Sequence, residues 1–219
     1  MIRLLINFLE LLVNHFYRNR WYPRFYVLET VARVPYFAYI SVLHLYESLG
    51  CWRKADWLKV HFAESWNELH HLLIMESLGG DRYWIDRFIA QHAALIYYWV
   101  IVILYVIRPK SAYYFAELVE RHAYYTYDSF LQAQGSELKV LEAPQIAVNY
   151  YRDGDLYMFD EFQTSRPPAD RRPIITNLYD VFIAIRDDEG EHVKTMVACQ
   201  EPNAQFILTS PHSKVIHSP

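Results

Sequence analysis

Residues 62–80 read FAESWNELHHLLIMESLGG, and within them Glu68-Leu69-His70-His71 sets a carboxylate and an imidazole three positions apart. On an α-helix, positions i and i+3 project from one face, so Glu68 and His71 can reach one cation together. The surrounding stretch, from about Lys54 to Leu78, has helical periodicity and ends on Gly79-Gly80, a helix stop. A second unit, Glu189-Gly190-Glu191-His192, falls in the last helical pattern, which starts near Thr176 or Asn177 and continues to about Gln200. Two such units are only suggestive; their placement carries the argument.

Outward from these units, two further helical patterns each hold one glutamate. Glu29 lies in Val27-Leu28-Glu29-Thr30, on a helix expected from about Phe25 to Leu49 with Pro35 inside or kinking it. Glu120 lies in Leu118-Val119-Glu120-Arg121, on a helix expected from Ser111 as N-cap to about Gln134, with Gly135 as its stop. Between the second and third ligand helices, an apolar helix runs from Tyr83 to Ile107 and stops at Pro109. One glutamate from each of two helices plus Glu-x-x-His from two others is the ligand set of di-iron carboxylate bundles. The expected fold is therefore all-α, a ferritin-like di-iron four-helix bundle. Any one of these residues alone reads as a surface charge or a core histidine; six in this order read as a metal site. Imidazole with carboxylate suits iron better than calcium or magnesium, so two non-haem iron ions are the expected cofactor. Residues 1–200 are read as one domain, with a loop insertion over 136–173, rich in Pro and Gly, and a flexible tail over 201–219.

Composition supports long helices and a membrane contact. The 219 residues are 53% hydrophobic and 17% aromatic, with only 6 glycines, which excludes disorder and disfavours an all-β chain of tight turns. A net charge of −4 gives no footprint for nucleic acid. Two cysteines, Cys51 and Cys199, make no disulfide framework and fit a reducing compartment. Ile2–Val13 is interrupted by Asn7 and Glu10 and lacks a small-residue cleavage site, so a removable targeting segment is not expected. Residues 2–17 read instead as an amphipathic helix. Arg3, Arg18, Arg20 and Arg24 against Glu10 alone suit anionic headgroups. The uncharged run Ala93–Ile107 is short for a crossing, which takes about 20 apolar residues, and its Tyr97, Tyr98, Trp99 and Tyr105 suit an interface. A monotopic, one-sided attachment through additional membrane-associating helices is expected.

Four stretches resemble the plastid terminal oxidases, plastoquinol oxidases of the alternative oxidase family. Phe62–Gly80 is similar to the family's second-helix signature, Leu28-Glu29-Thr30 to its Leu-Glu-Thr, VERHAYYTYD (119–128) to its third ligand helix and RDDEGEH (186–192) to its fourth. GDLYMFDEFQTSRPPADRRP (154–173) resembles an insertion of the plastid-type branch. The likeness covers roughly residues 20–200. It implies that Glu29, Glu68, His71, Glu120, Glu189 and His192 are the iron-associated residues and that Tyr127 supplies an electron and a proton during O–O cleavage. It further implies that Asn67 and Asp188 orient ligands, and that Arg24 and Thr126, with Leu28 and Ala123 as apolar walls, line a quinol pocket. Where the mitochondrial branch carries Leu-Glu-Glu-Glu-Ala, this chain has Arg121 and His122.

The activity so implied is oxidation of two quinols, plastoquinol by branch, with four-electron reduction of oxygen to water. Nothing in the sequence marks a transmembrane proton path, so no proton pumping is expected. Partners would be quinol, O2 and membrane lipid, with room for a homodimer. The place would be a thylakoid or inner membrane, on its cytoplasmic or stromal-equivalent face. The absence of a transit peptide fits a bacterial or phage source. A di-iron hydroxylase or desaturase, or a ferritin-like ferroxidase, would use the same ligands and stays open on the residues alone.

Overall fold

A computed structural model describes residues 2–18, 20–154, 164, 166–167, 170–202 and 204–208; within α1 below, the side chains of Ile2, Arg3, Leu5 and Asn7 are outside that description. Most of the plastid-type insertion (155–163, 165 and 168–169) and the tail beyond 208 also lie outside the described residues. The helices are α1 Ile2–Phe16, α2 Trp21–Ala32, α3 Val34–Tyr46, α4 Ala55–Ser77, α5 Trp84–Ile107, α6 Pro109–Leu138, α7 Gln145–Asp153 and α8 Leu178–Ala198. The four that carry the expected ligands pack as a bundle: α6 runs along α8, α2 lies against α4, and α2 touches α6. Helix α5 closes one side, against α2, α3 and α6.

Proline chemistry corrects the helix expected over residues 25–49. The chain leaves α2 at Ala32 and re-enters helix at Val34, so Pro35 falls in the first turn of α3. There its missing N–H breaks no intrahelical bond, whereas mid-helix it would leave the Val31 carbonyl unpaired. Proline acts likewise at α6, which opens at Pro109 and not at Ser111. Gly135 does not stop α6, which continues to Leu138. A Cβ at Gly135 would sit 3.1 Å from the Tyr179 ring, so the glycine serves contact with α8. Helix α8 begins on a capping box: the Asn177 side chain accepts from the Asp180 N–H, and the Asp180 side chain accepts from the Asn177 N–H, filling two donors a helix start leaves open.

Two segments read as loop or tail carry structure. Residues 145–153 form α7, whose Tyr150 and Tyr151 are buried. Phe206-Ile207 pairs antiparallel with Trp52-Arg53, and Gln205 donates to the Cys199 carbonyl, so the start of the tail is docked. The apolar run at 93–107 belongs to a longer helix than its own length suggested. Helix α5 has 24 residues and is long and apolar enough to cross a membrane by length and composition, with only 17% of its most apolar window buried.

Packing is tight at Gly80, just after α4. A Cβ on Gly80 would lie 2.7 Å from the Tyr22 carbonyl oxygen and 2.8 Å from the Tyr26 Cβ. Both atoms belong to α2, so side-chain flexibility cannot relieve the clash. Gly80→Ala should therefore destabilise the protein by roughly 1–3 kcal/mol, the usual cost of overpacking, measured by urea denaturation. An unchanged midpoint would show that α2 and α4 have slack there.

Candidate metal centre

Burying a carboxylate costs several kcal/mol unless a cation or donor meets it, yet this bundle buries five acids in one place. Glu29 comes from α2, Glu68 and His71 from α4, Glu120 from α6, and Asp188, Glu189 and His192 from α8. None of the seven is more than 2% exposed. Helical spacing aims each pair inward: His71 stands one turn after Glu68, and His192 one turn after Glu189.

These side chains form two overlapping groups. Glu29, Glu68, His71 and Glu189 bring ligand atoms within 4.8 Å of one another, and so do Glu68, Glu120, Glu189 and His192. Glu68 and Glu189 belong to both groups. Each group adds one glutamate and one histidine of its own, so the arrangement can hold two cations that share two carboxylates. The donors' hydrogen bonding fits a metal. Glu29 Oε2, Glu120 Oε2, both oxygens of Glu68 and of Glu189, His71 Nδ1 and both ring nitrogens of His192 are buried without a hydrogen-bond partner. Such orphans are costly in an interior, and a cation satisfies them together.

Protonation follows the crowding. Burial, then the charges of Glu189 and Glu29, pushes the Glu68 carboxyl well up; burial and Glu189 do the same to Glu120. Burial would also raise Glu189, but contacts with His192 and His71 outweigh it and hold that acid at about 2. Burial disfavours charge on His71 and His192, yet their acidic neighbours raise both rings well above the usual histidine range. Each of these shifts favours a proton on the two imidazoles, Glu68 and Glu120, charge that metal cations would bring in place of the protons.

Around this cluster lies a layer that orients it. Asp188 Oδ2 contacts His71 Nε2 at 3.2 Å and accepts from Asn67 Nδ2 and the Tyr151 hydroxyl, each at 3.1 Å. Holding a histidine by its far nitrogen turns the near one toward the cluster. Asn67 also donates to the Tyr150 hydroxyl at 2.6 Å. Tyr36 donates to Glu120 Oε1 at 2.9 Å, and Tyr127 donates to Glu29 Oε1 while its ring stacks on Phe25 at 4.3 Å. The sequence reading missed Tyr36, Tyr150 and Tyr151; in a chain with 19 tyrosines residue type alone could not single them out.

Of the expected quinol residues, Arg24 and Thr126 meet. Arg24 Nη2 donates to Thr126 Oγ1 at 3.4 Å, with both residues buried. Ala123 is buried and Leu28 half-buried. His122 Nε2 lies 3.4 Å from Thr126 Oγ1, and its Nδ1 lies 2.9 Å from Glu10 of α1. Burial, ahead of the opposing charge of Glu10, lowers the His122 ring below the ordinary histidine range.

The family model for alternative oxidase matches residues 1–201. The chain is 64% identical over 202 residues to ubiquinol oxidase 4, chloroplastic/chromoplastic, of Arabidopsis thaliana, covering 92% of this chain and 57% of that protein. It is 27% identical over 188 residues to ubiquinol oxidase 2, mitochondrial, of Glycine max, covering 85% and 50%. The chain thus spans about half the length of the curated relatives it matches. No solved structure matches it.

The shared and unshared glutamates should differ on substitution. In protein reconstituted with ferrous iron, Glu68→Gln or Glu189→Gln should lose metal at both positions, whereas Glu29→Gln or Glu120→Gln should retain one of the two. Elemental analysis after desalting reads this directly. Equal losses from all four variants would contradict the sharing.

Proposed function

This chain belongs to the alternative oxidase family, and on that premise we propose that it is a membrane-associated quinol oxidase with a di-iron centre. Its electrons would pass from quinol to oxygen, giving water. The observation that carries this reading is the pair of buried Glu/His groups sharing Glu68 and Glu189. Glu29, His71, Glu120 and His192 would complete the coordination of two non-haem irons, a donor set of the right hardness for that metal. When bound, the irons supply the redox chemistry that reduces oxygen.

The chain's own residues would do the rest. Arg24 and Thr126 offer polar contacts to a quinol head, with Leu28 and Ala123 as apolar walls, the mixture a largely apolar ligand with a polar end requires. His122, whose charged form burial disfavours, lies 3.4 Å from Thr126 and would accept a proton as a quinol hydroxyl is oxidised, with Glu10 to balance the charge. Tyr127, its hydroxyl hydrogen-bonded to Glu29, would give an electron and its phenolic proton to oxygen as it is reduced. Asn67 and Asp188 hold His71 in place. Plastoquinol is the favoured quinol: residues 154–173 resemble the plastid-type insertion, and identity is higher to the chloroplastic relative than to the mitochondrial one. A thylakoid or equivalent inner membrane follows from the same resemblance.

Attachment to one face of the bilayer suits the exposed apolar surface. Leu4, Phe8 and Leu11 line one side of α1, and Ile96, Trp99, Ile103 and Ile107 stand out from α5, each more than half exposed. Helix α5 is long enough to cross, but its other side is bound to polar partners. Arg20 pairs with buried Asp86, Tyr98 donates to Ser41 at 3.1 Å and Tyr46 to the Tyr105 carbonyl at 3.1 Å. Inserting it across the bilayer would drag these groups into hydrocarbon or break them. Lying in the interface keeps them, and would let a quinol dissolved in the bilayer reach the site from the lipid side.

Purified protein with ferrous iron should consume oxygen in the presence of a short-chain plastoquinol analogue. Tyr127→Phe should keep its iron and lose most of that uptake, since phenylalanine packs alike but has no phenolic hydrogen. Wild-type turnover in this variant would return Tyr127 to a packing role, and a wild-type protein inert to quinol would end the oxidase reading.

Membrane attachment is tested separately. The protein should pellet with vesicles and resist high-salt washing, because apolar burial is not screened by salt. Ile103→Asp with Val106→Asp should release it and slow quinol oxidation, with iron retained. Release of the unaltered protein by salt alone would refute an apolar attachment.

A further inference from the structure

Next to the metal centre, and outside its ligand set, lies a second buried polar group. His61 and Glu64 stand on α4 two turns and one turn before Glu68, 0% and 1% exposed. The Tyr113 hydroxyl of α6 lies 2.9 Å from His61 Nε2, and the Tyr105 hydroxyl lies 3.0 Å from that of Tyr113. With Tyr105 donating to Tyr113 and Tyr113 donating to Nε2, the imidazole proton sits on Nδ1, which faces Glu64 Oε2 at 3.5 Å. Neither Glu64 oxygen has a hydrogen-bond partner. An unpartnered buried carboxylate is costly to keep, and a proton arriving on the imidazole would satisfy it.

The group connects to the centre through aromatic rings. Tyr113 packs on Tyr39 at 4.5 Å between centroids, Tyr39 meets Tyr36 edge-on at 6.3 Å, and Tyr36 donates to Glu120. All these tyrosines are fully buried, and burial first of all holds the Tyr113 phenol well above the usual range. Such a phenol yields an electron readily only if its proton leaves in the same event. The buried tyrosines differ in what can take that proton. Tyr127 and Tyr36 donate to Glu29 and Glu120 of the cluster itself, where an added proton competes with metal. Tyr39 donates to the Ala112 carbonyl, which is no base. The Cys199 thiol, pushed up by burial and the charge of Glu64, stays protonated. Tyr113 alone among these has a base, His61, independent of the cluster.

We propose that Tyr113, with His61 as its proton acceptor and Glu64 as counter-charge, is a second redox-active tyrosine of this protein. The inference rests on the oxidase reading above. The oxidant is the oxygen-oxidised non-haem iron centre when no quinol is at hand. One electron leaves the Tyr113 ring by way of Tyr39 and Tyr36. The phenolic O–H bond breaks, and the proton forms an N–H bond at His61 Nε2. The products are a neutral tyrosyl radical and an imidazolium facing the Glu64 carboxylate. Quinol, when it arrives, returns the electron while the proton moves back. The group would thus remove an oxidising equivalent from the centre between quinol arrivals.

The test uses the iron-loaded full chain, mixed with oxygen without quinol and freeze-quenched for electron paramagnetic resonance. Wild-type protein should show an organic radical that narrows when the tyrosines are ring-deuterated. Tyr113→Phe should lose most of it. His61→Gln should lose it too, although Tyr113 remains, because glutamine cannot take the proton. Quinol oxidation is measured on the same wild-type sample. If wild type oxidises quinol but the radical is absent, or persists in both variants, Tyr113 is not the donor and the oxidase reading stands. If wild type neither holds iron nor oxidises quinol, both inferences fall, since the oxidant does not form.

Discussion

Five acids and two histidines buried within one bundle impose the constraint on which this structure depends. Nothing apolar can satisfy them, and their mutual repulsion would push the helices apart. Positive charge must enter, as protons or as metal. The shifts point the same way: crowding raises two imidazoles and two carboxyls, so each of these groups holds a proton more firmly than usual. The packing is built to tolerate that charge. The rings of Phe25, Tyr127, Phe130 and Phe182, one pair stacked and two edge-on, form a stiff wall on one side, and Tyr36, Tyr39 and Tyr113 form another. Stiff walls stop the acids from relaxing into solvent, so the strain is met by binding.

The ligand helices were legible because their chemistry is local. Glu68 with His71 and Glu189 with His192 are each defined by helical spacing, and Gly79-Gly80 marks the end of α4 within two residues. Boundaries set by proline were legible as breaks but not in position, since whether Pro35 kinks a helix or starts one depends on what packs around it. The orienting layer was harder. Asn67 and Asp188 entered only through resemblance to a family, and their partners Tyr150 and Tyr151 sit on α7, in a stretch whose breakers suggested loop. A tyrosine hydroxyl meeting a carboxylate 37 positions away leaves no periodic trace. The same holds for His61 and Tyr113, 52 positions apart. Tertiary pairing of polar tips is decided by how helices dock, which composition and periodicity do not encode.

The contact between Glu10 and His122 links two parts of the sequence that looked unrelated. An N-terminal amphipathic helix might be only an anchor, yet its single acid, Glu10, reaches the side chain next to Thr126. Membrane docking and the polarity of the expected quinol pocket are thereby joined in one element. An anchor that frayed from the bundle would leave His122 without its acidic neighbour. On the reading proposed above, substrate entry and lipid attachment would be one geometry.

The order of ligands along the chain has a consequence for biosynthesis. Glu29 stands near one end and His192 near the other, and both cation groups require Glu189. No complete group exists until α8 has formed and docked against α6. A chain emerging from the ribosome, which folds its early segments first, therefore cannot assemble either site from α2, α4 and α6 alone. The capping box at Asn177 and Asp180 starts the one helix that completes both. On the reading proposed above, metal uptake would thus wait for α8 to dock, and an earlier nascent chain would be spared from holding a reactive ion in a half-built pocket.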